Sequence, residues 1–283
     1  MKLSGKAALF PLAFAMLAVV TSGCNDDDDN NCPEKDGQLL VTKVEIKTNY
    51  VSESWKDVVP VRDYDLTEMK YNEQGELTEW WSDGACVGRY TYTEGKILVQ
   101  DDPVYGTFEH ILSPEGKVVE TVHADGNRDK LTYDEKGQCV EINRKEGYSI
   151  LFQWTDGQVT SMKYLNVPDP PASRIEYTDI PKKSNAAYLR FLQLNVGGYF
   201  TNLEMSGYLD ISSDKYLPAK VIVEYEDGYA YSYEATYDLN PDGTVKIMHV
   251  TMNEWLQSAP ETTYLAYKGD VTFSYTTKTG RNS

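Results

Sequence analysis

Between Leu39 and Lys47 apolar and polar residues alternate. Leu40, Val44 and Ile46 share one side with Thr42, and Lys43, Glu45 and Lys47 take the other. A period of two belongs to a strand with one buried face. Lys117–Val122 and Gln138–Asn143 are β-branched and partly alternating, and read as strands about 20 Å long. Glycines separate such segments at near-constant steps. Gly75, Gly95, Gly116, Gly137 and Gly157 follow one another at 20, 21, 21 and 20 residues, and Gly84, Gly106, Gly126 and Gly147 fall midway. A turn about every ten residues predicts an antiparallel meander of short hairpins.

The turns repeat one chemistry. Asn72-Glu73-Gln74-Gly75, Ser113-Pro114-Glu115-Gly116, Asp134-Glu135-Lys136-Gly137 and Asn240-Pro241-Asp242-Gly243 each open with a residue whose side chain can bond the backbone two positions on. Each closes on glycine, where φ is positive and a Cβ would be strained. Thr93-Glu94-Gly95 and Thr155-Asp156-Gly157 are shorter and fit two-residue hairpin turns.

Farther along, Asn166-Val167-Pro168-Asp169-Pro170-Pro171 interrupts the pattern, because proline cannot donate to a ladder. Arg174–Tyr177 resumes as strand. Residues 186–196 predict one short helix, with Ser184 or Asn185 before it and Gly197-Gly198 after it. Hairpins return from Lys220, turn at Asp227-Gly228, and finish with strands near Val245–Val250, Thr262–Tyr267 and Val271–Tyr275. The expected fold is mainly β, a meander curled into an open sheet or a partial barrel. Hairpin repeats occupy 62–165, an irregular stretch 166–219, and closing hairpins 220–277, all within one domain over 38–283.

The first residues change the picture of where the chain goes. Lys2 and Lys6 precede a 14-residue apolar run, Ala7–Val20, too short to span a bilayer comfortably. Thr21-Ser22-Gly23-Cys24 resembles a bacterial lipobox, with Thr21 where leucine is usual. The resemblance implies a signal peptide over 1–23 and a lipid on Cys24. Residues 24–37 then form a tether that carries Asp26, Asp27, Asp28 and Asp29. This run resembles the surface-export signal of Bacteroidota lipoproteins. A calcium loop would need alternating ligands and a fixed glycine instead.

Charge narrows the partners. The chain carries −17, and the mature form, without Lys2 and Lys6, is more acidic still. Such a surface disfavours nucleic acid. It also leaves anchoring to the lipid rather than to anionic headgroups. Cysteines are few: Cys32, Cys86 and Cys139 follow Cys24, with no CxxC pair to suggest zinc. A Cys86–Cys139 disulfide is open in an export compartment.

Tyr71…Gly75-Glu76-Leu77 and Tyr133…Gly137-Gln138-Cys139 resemble the YD-type hairpin repeats of secreted bacterial proteins. Tyr216-Leu217-Pro218-Ala219-Lys220-Val221, leading to Tyr237-Asp238-Leu239-Asn240-Pro241-Asp242-Gly243, joins the lipoprotein start in a second likeness. The chain resembles a Bacteroidota family of lipoproteins of unknown function with a porin-like fold. A membrane-spanning barrel nevertheless fits poorly. Its strands need about 9–11 residues and an apolar outward band, whereas these segments are shorter and hold Glu79, Glu120 and Glu141.

Candidate chemistry is sparse. His110, His123 and His249 form no HExxH or HxH pattern, and no nucleophile elbow or phosphate loop appears. No cofactor or metal is expected. Trp80 and Trp81 are adjacent, so they point to opposite faces of a strand, and one or the other is the best candidate for an exposed binding aromatic. Tyr229, Tyr231 and Tyr233 share one face, either as core or as an exposed platform for a sugar or peptide. The function expected is non-catalytic binding of an extracellular glycan, peptide or partner protein by an outer-membrane, lipid-anchored, surface-exposed protein. A hydrolase of extracellular polymer using paired carboxylates is the alternative.

Overall fold

The computed structural model describes residues 39–53, 65–102, 106–192, 203–205, 208–209, 211 and 215–277. The leader, Cys24 and the acidic tether lie outside them. Sixteen strands follow in order: β1 (Leu39–Val51), β2 (Asp65–Tyr71), β3 (Leu77–Ser82), β4 (Ala85–Thr93), β5 (Lys96–Asp102), β6 (Gly106–Leu112), β7 (Val118–His123) and β8 (Arg128–Tyr133). Then come β9 (Cys139–Asn143), β10 (Ser149–Thr155), β11 (Gln158–Leu165), β12 (Ala172–Pro181), the single-turn helix α1 (Tyr188–Phe191), β13 (Tyr216–Glu224), β14 (Tyr229–Leu239), β15 (Val245–Leu256) and β16 (Tyr264–Thr277).

Each strand pairs antiparallel with the one before it, and β16 returns to pair with β1 from Leu39↔Thr277 to Val51↔Tyr267. The sheet is therefore a closed barrel, not a curled sheet or partial barrel. Closure leaves no edge strand with unpaired backbone groups. The proline-rich stretch 166–171 does not end the meander, because β11 and β12 pair on either side of it. The last strand runs unbroken through Lys268, where two shorter strands were expected.

The two interleaved glycine sets belong to opposite rims. Gly75, Gly95, Gly116, Gly137, Gly157 and Gly243 serve the turns from even to odd strands, all with φ between 72° and 81°. Gly84, Gly126 and Gly147 turn the chain at the other rim. Asp156 and Gly157 both have positive φ, as a type I′ hairpin turn requires. At the longer turn, Asp134 Oδ1 accepts from the Lys136 and Gln138 amides.

A hydrogen bond clasps the open end of most hairpins. Tyr71, Tyr92, Tyr133, Trp154, Tyr177, Tyr237 and Tyr275 donate to the carbonyls of Val41, Leu77, Val118, Cys139, Val159, Pro218 and Val245, respectively. Except for Tyr177, which is mid-strand in β12, the donor ends or nearly ends an even strand, and each acceptor lies at or near the start of the odd strand before it. In the β5–β6 hairpin, apolar Leu112 takes the place of the aromatic donor and pairs with Val118 as Tyr133 pairs with Cys139.

Apolar side chains fill the lumen and charges coat the outside. Leu77, Ile97, Phe108, Val118, Ile142, Val221, Met248 and Met252 are almost wholly buried in one core. A bulge at Thr42 shifts the phase of β1, so Val41 rather than Thr42 joins Val44 and Ile46 on the lumenal side. Cross-strand ion pairs stud the outer face: Lys70–Glu79 at 2.7 Å, Lys96–Glu109 at 3.1 Å, Lys220–Glu234 at 2.7 Å, and Arg89–Asp101 and Arg128–Glu120. A lipid-facing wall would place these charges in hydrocarbon. The outer wall is built for water.

Candidate functional site

The described residues between β12 and β13 pack into the bore at the rim where β1 begins. Asn185 accepts from the Val41 amide and donates to the Tyr71 hydroxyl. Tyr188 packs on Phe273 and contacts the Tyr275 hydroxyl at 3.3 Å. Tyr208 stacks on Tyr92 with ring centres 5.6 Å apart, donates to Glu76, and accepts from the Val118 amide through its carbonyl. Contacts with β2, β4, β7 and β16 make this insert a plug. Of the helix expected near 186–196, the described residues show the single turn of α1, and 193–196 lie outside them.

The opposite end of the lumen is lined by tyrosines. Val221↔Tyr233 and Val223↔Tyr231 fix the register that turns Tyr229, Tyr231 and Tyr233 inward. Tyr225 joins them from the end of β13. The ring centres of Tyr225, Tyr229 and Tyr231 are 6.1 Å apart pairwise, and Tyr231 lies 5.7 Å from Tyr233. The Tyr229 hydroxyl donates to Glu254 at 2.7 Å. Burial, then the Glu254 and Tyr225 contacts, pushes the Tyr229 and Tyr231 phenols well above their ordinary range, so both stay protonated donors. Tyr233 is buried, whereas Tyr229 and Tyr231 are half-buried. The first is core; the other two face the mouth.

A polar network continues from Tyr148 and Tyr164, whose rings are 6.1 Å apart. The Arg144 guanidinium lies over Tyr148, and Arg144 Nε is 3.4 Å from Asp129 Oδ1. Asp129 also meets His123 Nε2 at 2.9 Å and accepts from the Lys145 amide. His110 Nδ1 lies 2.8 Å from the Thr121 hydroxyl, and burial drives its pKa down to about 3. His110, Thr121, His123, Asp129 and Arg144 are almost wholly buried and do not face the mouth, whereas Tyr148 and Tyr164 are half-buried. Among the described residues no group of three or more His, Cys, Asp or Glu side chains could hold a metal ion.

The candidate aromatics do not converge on one site. Trp80 faces the lumen and is buried. Trp81 faces outward, donates to Glu79 and lies under the Lys70 ammonium. Cys139 is buried and Cys86 half-buried, and no disulfide joins them. His249 is on the outer wall between Asp270 (2.7 Å) and Asp238 (3.3 Å).

Sequence reasoning missed Arg190. Its guanidinium lies over Trp80, 5.2 Å from the ring centre, in a cavity beside Asp65. One arginine inside Ala186-Ala187-Tyr188-Leu189-Arg190-Phe191-Leu192 was the available signal, because a segment so apolar buries itself and carries its charge inward.

No protein-family model matches the sequence, and no curated protein matches it. Solved structures do. A porin-like protein from Bacteroides uniformis has a TM-score of 0.61 at 15% identity, covering 83% of this chain and 98% of its own. A porin-like protein from Bacteroides vulgatus has a TM-score of 0.55 at 12% identity, covering 84% and 99%. At these identities the likeness carries the fold alone: this chain has the architecture of a porin-like β-barrel.

Proposed function

We propose that the protein is an outer-membrane lipoprotein, anchored through Cys24, that binds an extracellular glycan or neutral peptide at its tyrosine-lined mouth without transforming it. The Tyr225–Tyr229–Tyr231 cluster with Glu254 carries this reading. It offers flat apolar rings edged by fixed hydrogen-bond groups, the combination that holds sugar rings and peptide planes. Leu39 begins β1 at the plugged rim, and the Asp227-Gly228 turn beside the tyrosines lies at the other. Asp26, Asp27, Asp28 and Asp29 would direct the lipoprotein to the cell surface.

A glycan and peptide array probed with the barrel from residue 37 onward tests this, alongside chromogenic hydrolase substrates. Binding without turnover is expected. Turnover abolished by a single carboxylate substitution would overturn it in favour of a hydrolase.

A further inference from the structure

The cavity beside Arg190 is separate from the tyrosine mouth and has a different chemistry. It lies between the plug and the wall formed by β1, β2, β3 and β16. The centres of water-sized spheres can occupy about 30 Å³ of it, and the empty space between its walls is about 400 Å³ when open solvent is counted. Val44, Ile46 and Phe273 of the wall, with Phe191 and Met205 of the plug, give it an apolar lining. The polar side chains on it are Asp65, Thr67 and Arg190. Arg190 lines this cavity and is exposed. Among the described residues it makes no side-chain hydrogen bond and no ion pair. Its contacts are the Trp80 face and the through-space influence of Asp65 and Tyr90. Enclosure lowers its pKa, and those two groups oppose the shift.

A guanidinium that has no ion-pair partner among the described residues and sits beside apolar walls offers an anion entering the cavity a charge-assisted partner. The fork of donors on one arginine matches a planar carboxylate in two parallel hydrogen bonds. A single cation with Asp65 nearby favours one negative charge over a phosphate dianion. The neighbouring aliphatic and aromatic walls would take an apolar body. We infer that this cavity binds an amphiphilic monocarboxylate, its head on Arg190 and its chain against Val44, Ile46 and Phe273. This goes beyond the mouth site and does not depend on it, because Tyr229 and Tyr231 line no part of this cavity.

Calorimetric titration of the mature chain with decanoate tests the inference, with decanol and acetate run in parallel. Saturable decanoate binding is expected, with decanol about ten- to a hundredfold weaker, the worth of a charge-assisted pair, and acetate undetectable. Arg190→Leu should reduce decanoate binding by a similar factor and leave decanol unchanged, while Arg190→Lys should keep most of it. Circular dichroism reports whether each variant folds, and the decanoate–decanol comparison on the wild type stands without any variant. Equal affinity for decanoate and decanol, or no saturable decanoate binding, would overturn the assignment. Undiminished decanoate binding by folded Arg190→Leu would do the same. A Tyr229→Ala, Tyr231→Ala variant should bind decanoate as the wild type does, which separates this site from the mouth.

Discussion

The Tyr133 hydroxyl donates to the Val118 carbonyl at 2.6 Å, across the open end of the hairpin that β7 and β8 form. Burial holds this phenol protonated far above neutral pH. Tyr133→Phe keeps the ring and removes the donor, leaving the Val118 carbonyl short of a partner. A loss of about 1–2 kcal/mol is expected by urea denaturation. No loss would mean that the clasp is a by-product of packing.

Gly116 offers a cleaner test of the turns than Gly137. Both have positive φ, but a Cβ at Gly116 meets nothing within 4 Å, whereas one at Gly137 meets the Lys117 ammonium. Gly116→Val therefore isolates backbone strain, at roughly 1–3 kcal/mol. Gly116→Asn should cost less, because asparagine tolerates that conformation better. Equal melting temperatures for the wild type and the valine variant would contradict the turn assignment.

The hairpin spacing was legible because each repeat couples three needs in a short stretch. A clasp donor such as Tyr71 or Tyr133 comes first, then a left-handed glycine, then a core residue such as Leu77 or Cys139 that opens the next strand. Closure was not legible. It depends on β1 meeting β16 more than two hundred residues away, and alternation within a strand carries no information about its partner. The inward turn of Tyr229, Tyr231 and Tyr233 was legible as a shared face. Whether that face was core or platform depended on depth along the bore, which gives Tyr233 to the core and Tyr229 and Tyr231 to the mouth. Arg190 stayed hidden because a single-turn helix has no period to read.

Two histidines give opposite pH dependences. The unfolded pKa is about 6.5. Asp270, helped by Asp238, raises the folded pKa of His249, so its contribution is fully present below about pH 6.5 and is lost as pH rises through the raised value. His110 is the reverse. Its folded pKa is about 3, so between about pH 6.5 and 3 the unfolded chain binds a proton that the folded chain refuses, and stability falls as pH falls. His110→Gln should flatten the acid limb of the stability profile. His249→Gln should flatten the limb above about pH 6.5. Denaturation midpoints across pH measure both, and an acid limb unchanged in His110→Gln would contradict the assignment.

Cys86 and Cys139 differ in access. Native maleimide labelling should modify Cys86 and spare buried Cys139, which should react only on unfolding. Mass spectrometry of the digested protein reads the outcome. Equal labelling of both in the native state would contradict the packing of β9.

Binding at the mouth is tested most directly by titrating one array-identified glycan or peptide into the wild type, Tyr231→Ala and Trp81→Ala. Tyr231 faces the lumen beside Tyr229, and Trp81 is on the outer wall. Lumenal recognition requires at least about a tenfold loss for Tyr231→Ala, the scale of one buried aromatic contact, with Trp81→Ala binding as the wild type does. The opposite pattern, with affinity lost in Trp81→Ala and kept in Tyr231→Ala, would place recognition on the outer wall and contradict a ligand site at the mouth.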